Sequence, residues 1–201
     1  MQGCPAKCGY CHNPEMLSAK GGTEYTPLQI ADIAAKYKPY YGKTGGVTFS
    51  GGEPLAQSRF VLECMGLLSN IGIGAVIDTA GLIYAPEVLA AAQLTILDIK
   101  HTDAQKFLEL TGVPIDNTLR TLEYLSANNL PFWVRQVILP GFNDNEENIT
   151  KLKQLAAKAQ KTELLPYHAM ARHKYEEQGV PYPEQYTEPD EALMTRLNNL
   201  L

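Results

Sequence analysis

The chain has 201 residues, 45% of them apolar and 19% charged, enough for one domain with a sizeable buried core. A net charge of −5 and a pI near 5.4 repel phosphate backbones, so nucleic acid is excluded as a partner unless a local basic patch exists. No apolar run is long enough for a membrane span and no signal peptide is visible, which predicts a cytoplasmic protein with reduced thiols.

The chain opens on a cysteine-rich stretch, Cys4-Pro5-Ala6-Lys7-Cys8-Gly9-Tyr10-Cys11. Thr26-Pro27-Leu28-Gln29 then reads as a capping box with proline at the first helical position. The helix it opens is expected to bury Leu28, Ile30, Ile33, Ala34 and Tyr37 and to stop near Pro39. Gly46 to Ser50 reads as a strand, followed by Ser50-Gly51-Gly52-Glu53-Pro54. A helix is expected from Gln57 to Ser69, with Cys64 as a small buried apolar group. Ala75 to Thr79 is a second strand, Pro86 to Ala92 a short helix and Thr95 to Ile99 a third strand. Helical stretches follow at Asp103 to Leu110 and Thr118 to Asn128. Phe132 to Leu139, rich in β-branched and aromatic residues, is a fourth strand. Glu146 to Gln160 is an amphipathic helix, and Lys151, Lys153, Lys158 and Lys161 are placed on it as its solvated face. Glu163 to Leu165 is a short fifth strand, and a last helix is capped near Thr187.

Strands alternating with helices predict an α/β fold with a parallel sheet. The polar residues cluster at strand exits: Asp78-Thr79, Asp98-Ile99-Lys100, Arg135 before Pro140-Gly141-Phe142-Asn143-Asp144, and Pro166-Tyr167-His168. The C-terminal ends of the strands are where (β/α) barrels build their active sites. Polar residues also simply mark loop starts, but an Asp-Ile-Lys flanked by apolar residues is an awkward loop start.

Three thiolates within eight residues suit soft metals, as iron–sulfur clusters or zinc. A closed structural zinc site takes four protein ligands, and no second CxxC pair exists. His12 as a fourth zinc ligand sits next to Cys11, an awkward reach to one tetrahedral centre. Cys8-Gly9-Tyr10-Cys11-His12 matches the c-type haem attachment pattern, but haem c is attached outside the cytosol and Cys4 would be idle. A thioredoxin-like redox pair opens a helix after a strand, which this context lacks. Three cysteines on a [4Fe–4S] cube leave one iron open to a ligand.

The cysteine spacing, with an aromatic before the third cysteine, resembles the radical S-adenosylmethionine enzymes, and Gly51-Gly52-Glu53-Pro54 after a strand strengthens the resemblance. Within that superfamily the chain resembles the pyruvate formate-lyase activating enzymes over nearly all its length. The resemblance rests on Gly3 to Asn13, Gly46 to Glu53, Asp78-Thr79-Ala80-Gly81, Leu97 to Lys100, Val134-Arg135 to Gly141 and Leu164 to His168. It implies a partial six-stranded (β/α) barrel and a single radical S-adenosylmethionine domain over residues 1–201. Because only Met1-Gln2-Gly3 precedes Cys4, the first strand of that barrel is expected to be missing, as in a fragment.

The resemblance also implies roles. Cys4, Cys8 and Cys11 hold a [4Fe–4S] cluster. Tyr10, Cys11 and His12 flank S-adenosylmethionine, Tyr10 near its adenine. Gly52 and Glu53 receive its amino group, paired glycines allowing backbone close to an ammonium. Asp98, Ile99 and Lys100 line its ribose and carboxylate, and His168 closes the pocket, though a packing role serves His168 equally. Asp78 matches a monovalent-cation ligand. Arg135 pairs with Asp78 or Asp98, or touches substrate; His101 and His173 are expected to face solvent. A reduced flavodoxin or ferredoxin donates an electron, the cofactor yields a 5′-deoxyadenosyl radical, and that radical takes an α-hydrogen from a glycine of pyruvate formate-lyase. Another radical enzyme, such as an anaerobic ribonucleotide reductase activase, or a non-catalytic metal carrier, are the competing readings.

Overall fold

The computed structural model describes residues 1–201. Five parallel strands form one sheet in sequence order: β1 (Gly46–Phe49), β2 (Gly74–Thr79), β3 (Leu94–Asp98), β4 (Phe132–Ile138) and β5 (Lys161–Pro166). Every pairing is parallel. Right-handed crossovers that always advance in one direction put the intervening helices on one face and curl the other face inward, the geometry of a partial barrel.

The helices are α1 (Pro27–Tyr41), α2 (Ser58–Asn70), α3 (Pro86–Ala91), α4 (Ala104–Thr111), α5 (Asp116–Ala127), α6 (Glu146–Leu155), α7 (Arg172–Glu177) and α8 (Glu191–Asn198). Strand alternation sorts the side chains. In β4, Phe132, Val134, Gln136 and Ile138 are buried, whereas Trp133, Arg135 and Val137 are only half-buried and face the concave side. Phe132, Val134 and Ile138 join Leu97, Leu122, Leu125, Ile149 and Leu152 in one core beneath the helices. A second core of equal size lies under α2, around Phe49, Leu68 and Ile77, and takes in the fully buried Cys64.

Several expectations need correction. α1 begins with the capping box, Thr26 Oγ1 accepting from Gln29 N and Gln29 Oε1 from Thr26 N. Its buried contacts, however, are Ala31 and Ala34; Leu28, Ile33 and Tyr37 are exposed, because α1 packs mainly on α2 through small residues. Pro39 lies inside the helix, which ends at the positive-φ Gly42. α6 stops at Leu155, so Lys158 and Lys161 lie beyond it; Lys161 opens β5 instead. The last helix is capped by Asp190, whose Oδ1 accepts from Leu193 N at 2.7 Å, not near Thr187. No helix is long and apolar enough to cross a membrane.

Candidate active site

Most of the strand-exit residues singled out in the sequence, Asp78, Thr79, Asp98, Lys100, Arg135, Pro166, Tyr167 and His168, open on one cavity of about 370 Å³. The Pro140–Asp144 loop does not line it, and Ile99, expected beside the cofactor, buries its side chain in the core under the helices. Cys4, Cys8 and Cys11 form part of its wall, and Gly51, Gly52 and Glu53 another. Asp78, Asp98, Lys100 and Arg135 rise from the sheet, with Tyr10, His12 and His168 at the remaining side.

The cysteine loop has little regular structure and is pinned by its backbone. Lys7 N and Gly9 N donate to Thr111 O and Leu110 O at 2.8 and 3.0 Å, satisfying carbonyls that the end of α4 leaves free. Gly3 N and Cys4 N donate to Met16 O and Leu17 O. Met1–Gly3 runs beside the glycine loop: Met1 O accepts from Gly52 N at 2.8 Å and Gly3 O from Glu53 N at 2.9 Å. The two loops are therefore one unit.

Burial raises all three thiols, Cys8 most, up to about 11, and the Lys100 ammonium pulls each part of the way back. The metal-free loop thus holds protonated thiols, and metal entry must expel their protons. No group of three or more His, Cys, Asp or Glu side chains is arranged to hold one ion. Three thiols on one cavity wall are soft donors of the kind an iron–sulfur cluster takes. Buried polar atoms without partners, Asp98 Oδ1, Arg135 Nε and Tyr10 Oη, border the same space. A dense polar ligand beside a cluster supplies what these atoms lack, so the residues present fit both groups.

Charge is paired inside the cavity. Lys100 Nζ donates to Asp98 Oδ2 at 2.7 Å and lies 5.4 Å from the centre of the Tyr10 ring. Burial works against the Lys100 charge, but Asp98, Tyr10 and Cys8 outweigh it and hold the ammonium well above its ordinary pKa. Arg135 stands opposite Asp98 in the β3–β4 ladder, yet donates to Asp78 Oδ1 at 2.5 Å, reaching across β3. Of the options open for Arg135, the pair with Asp78 is the one formed.

Glu53 is almost fully buried and accepts from Thr79 Oγ1 at 2.5 Å, Leu55 N at 3.1 Å and Leu82 N at 3.4 Å. It joins the glycine loop to the exit of β2. Burial raises its pKa despite these donors. The native state therefore holds the Glu53 proton more tightly than the unfolded chain, and stability falls as pH rises from about 4.5 through the elevated value. Thermal melts across pH 4.5–8 are expected to show that loss, and Glu53→Gln to flatten it; equal slopes in both proteins would exclude Glu53 as its source.

Sequence reasoning missed the segment after β5. From α7, Lys174 Nζ donates to Asn13 Oδ1 at 2.7 Å and Glu15 Oε1 at 2.8 Å, and Tyr175 Oη donates to Cys11 O at 2.9 Å. His12 Nε2 meets His168 O at 2.5 Å. Tyr186 packs edge-on to Tyr10 and Tyr167. Contacts between residues some 160 positions apart leave no local signal. Lys174→Ala combined with Tyr175→Phe is expected to keep the melting temperature of the metal-free chain but speed loss of a reconstituted cluster to a chelator on the order of tenfold. His168 and His173 are exposed; His101, expected at the surface, is buried. Its Nδ1 accepts from Asp103 N at 2.8 Å and its ring packs on Phe142.

The fold and this cavity define a class, and the comparisons agree with it. The family model for the radical SAM superfamily matches residues 1–152, so the chain is a radical S-adenosylmethionine enzyme, a class defined by a [4Fe–4S] cluster and S-adenosylmethionine. A pyruvate formate-lyase-activating enzyme of Clostridium pasteurianum is 38% identical over 190 residues, 90% of this chain and 79% of the relative. One from Streptococcus mutans serotype c is 34% identical, covering 94% and 77%. The crystal structure of a domain of such an enzyme from Bacteroides vulgatus superposes with a TM-score of 0.65 over 78% of this chain and 92% of that one, at 24% identity, and supports the fold. The chain belongs to the pyruvate formate-lyase-activating enzymes.

Proposed function

We propose that the chain, acting as one domain over residues 1–201 in the cytoplasm, installs a glycyl radical on pyruvate formate-lyase. The observation that carries this reading is a single cavity at the strand exits that gathers three thiols, a paired-glycine loop and a Lys100–Asp98 pair. Cys4, Cys8 and Cys11 would hold the [4Fe–4S] cluster. Bound together, the cluster and S-adenosylmethionine supply a 5′-deoxyadenosyl radical able to remove a glycine α-hydrogen.

The protein's own share is binding, orientation and exclusion of water. The backbone at Gly52 receives the cofactor's amino group, and Glu53, already committed to Thr79 and two amides, braces that loop from beneath. Lys100 faces the cofactor carboxylate as a point charge, with Asp98 along the ribose. Tyr10 and His12 flank the nucleoside, and His168 closes the exposed side. A monovalent cation beside Asp78 would use Oδ2, the oxygen Arg135 leaves open. Arg135, so held, lines the space left for the substrate glycine. A flavodoxin or ferredoxin is the proposed electron donor.

The test is anaerobic. The reconstituted chain with a strong reductant is expected to convert S-adenosylmethionine to 5′-deoxyadenosine and methionine. Adding pyruvate formate-lyase is expected to give the glycyl doublet in electron paramagnetic resonance. Cleavage without a doublet points to another substrate; a chain that binds iron but never cleaves is a carrier.

A further inference from the structure

Behind the cavity, on the helix-packed side of the sheet, lies a closed set of three buried amides. Gln136 and Asn143 are fully buried and Asn148 is 2% exposed. Gln136 is a polar residue on the core side of β4, where its neighbours are Val134 and Ile138. Its Nε2 donates to Ile99 O at 2.9 Å, and its Oε1 accepts from Asn148 Nδ2 at 2.7 Å. Asn148 Nδ2 also donates to Asn143 O at 2.8 Å, and its Oδ1 accepts from Thr102 N and Thr102 Oγ1 at 3.1 and 2.8 Å. Asn143 Oδ1 accepts from Leu139 N at 2.7 Å, while its Nδ2 donates to Val137 O at 2.8 Å and, at 3.5 Å, to Lys100 O.

No side-chain atom of the three is left without a partner, unlike Asp98 Oδ1 and Arg135 Nε nearby. Asn143 and Asn148 have both amide hydrogens and the carbonyl engaged, which leaves one orientation available, and Gln136 is held through Nε2 to Ile99 O and through Oε1 to Asn148. The bonds converge on one short segment: Ile99 O before Lys100, Lys100 O itself, and Thr102 N beyond it. A core of apolar residues would pack the helices at least as well. Three buried polar side chains here therefore act on the segment they bond, not on general packing.

We propose that Gln136, Asn143 and Asn148 are positioning residues that clamp the Ile99–Thr102 segment and so aim Lys100, with Asp98 at its other end, at S-adenosylmethionine. They never touch the cofactor. They fix the main chain on both sides of a lysine whose long stem would otherwise sample many rotamers, and so remove an ordering cost from binding. This proposal rests on the reading that Lys100 contacts the cofactor.

The reconstituted enzyme carries the test. Gln136→Leu strands Ile99 O and removes one of the two acceptors of Asn148 Nδ2. It is expected to keep its iron, to exchange the Thr102 amide hydrogen faster, and to bind S-adenosylmethionine roughly tenfold more weakly per loaded cluster. Parent-like affinity and parent-like Thr102 exchange, with only the melting temperature lowered, would overturn the clamp. Should Gln136→Leu fail to fold, Gln136→Glu decides. A neutral carboxyl still donates to Ile99 O, and an ionised one cannot. Its affinity should match the parent at acid pH and fall away as pH rises; a profile identical to the parent's refutes the proposal. Lys100→Met separates the two layers. Weak binding in Lys100→Met beside parent-like Gln136 variants rejects the clamp alone, whereas parent-like binding in Lys100→Met rejects the Lys100 assignment and the aim proposed for it.

Discussion

A chain carrying Cys8→Ala is expected to purify folded but colourless after anaerobic loading with iron and sulfide, and to yield no 5′-deoxyadenosine. Cys8 sits at the middle of the loop between two amides, Lys7 N and Gly9 N, that are tied to the end of α4. The backbone there cannot slide to bring another ligand in. On the proposed assignment, Cys4 and Cys11 alone would have to hold the cluster in a cavity open to solvent. The effect is all-or-none because cluster binding supplies the energy that expels protons from thiols which burial otherwise holds protonated.

Cys64→Ala is the matched control. Its thiol is fully buried among Val61, Met65 and Leu68, far from the cavity wall, and burial raises it to about 11. Losing that sulfur is expected to cost about 1 kcal/mol of stability and to leave iron content and cofactor cleavage unchanged. Iron analysis, visible absorbance and product chromatography read both variants. A brown, active Cys8→Ala protein would remove the basis for assigning the cluster to this loop.

The parallel strands were readable because each is a short β-rich run bounded by turn residues, and β2 and β3 run out into polar residues, Asp78-Thr79 and Asp98, that an apolar core cannot hold. Strand exits on one side of a parallel sheet face one space, so Asp78, Asp98, Lys100 and Arg135 fall together with no further information. What stayed hidden depends on contacts between distant residues. α1 shows apolar residues at helical spacing, yet Leu28, Ile33 and Tyr37 lie on sides no other element covers, and periodicity cannot say which side will be covered. His101 stands among Lys100, Thr102 and Asp103, a polar neighbourhood, yet is buried with Phe142, from the next strand's exit, packed edge-on to its ring. The latch by Lys174 and Tyr175 joins the two ends of the chain. Gln136 did leave a signal: a lone amide at a core position of an alternating strand, legible as a polar group that must find buried partners.

Gly52→Ala is expected to damage function severely, though short of the complete loss expected on removing a cysteine, and by a different route. A Cβ at Gly52 would fall 2.4 Å from Gly3 O and 2.8 Å from Met16 O, both backbone atoms. Gly3 O is already engaged by Glu53 N, and Met16 O by Gly3 N. A methyl group there cannot be relieved by rotating a side chain; it must push the stem of the cysteine loop away from the glycine loop. Overpacking that moves backbone costs about 1–3 kcal/mol, and for a chain of this length about 3 kcal/mol lowers the melting temperature by roughly 6–12 °C. The functional loss should exceed the loss of stability. Cys4 follows Gly3 directly, so the shift changes the distance between the wall that holds the thiols and the wall proposed to hold the cofactor's amino group. Misplacement of about 1 Å is enough for a loss on the order of a hundredfold in a site that works by orientation. The variant should therefore retain much of its iron while its affinity for S-adenosylmethionine and its yield of 5′-deoxyadenosine collapse. Serine at the same position, whose Cβ meets the same two carbonyls, should behave alike. Parent-like cofactor affinity in either protein would show that the two loops do not act as one unit.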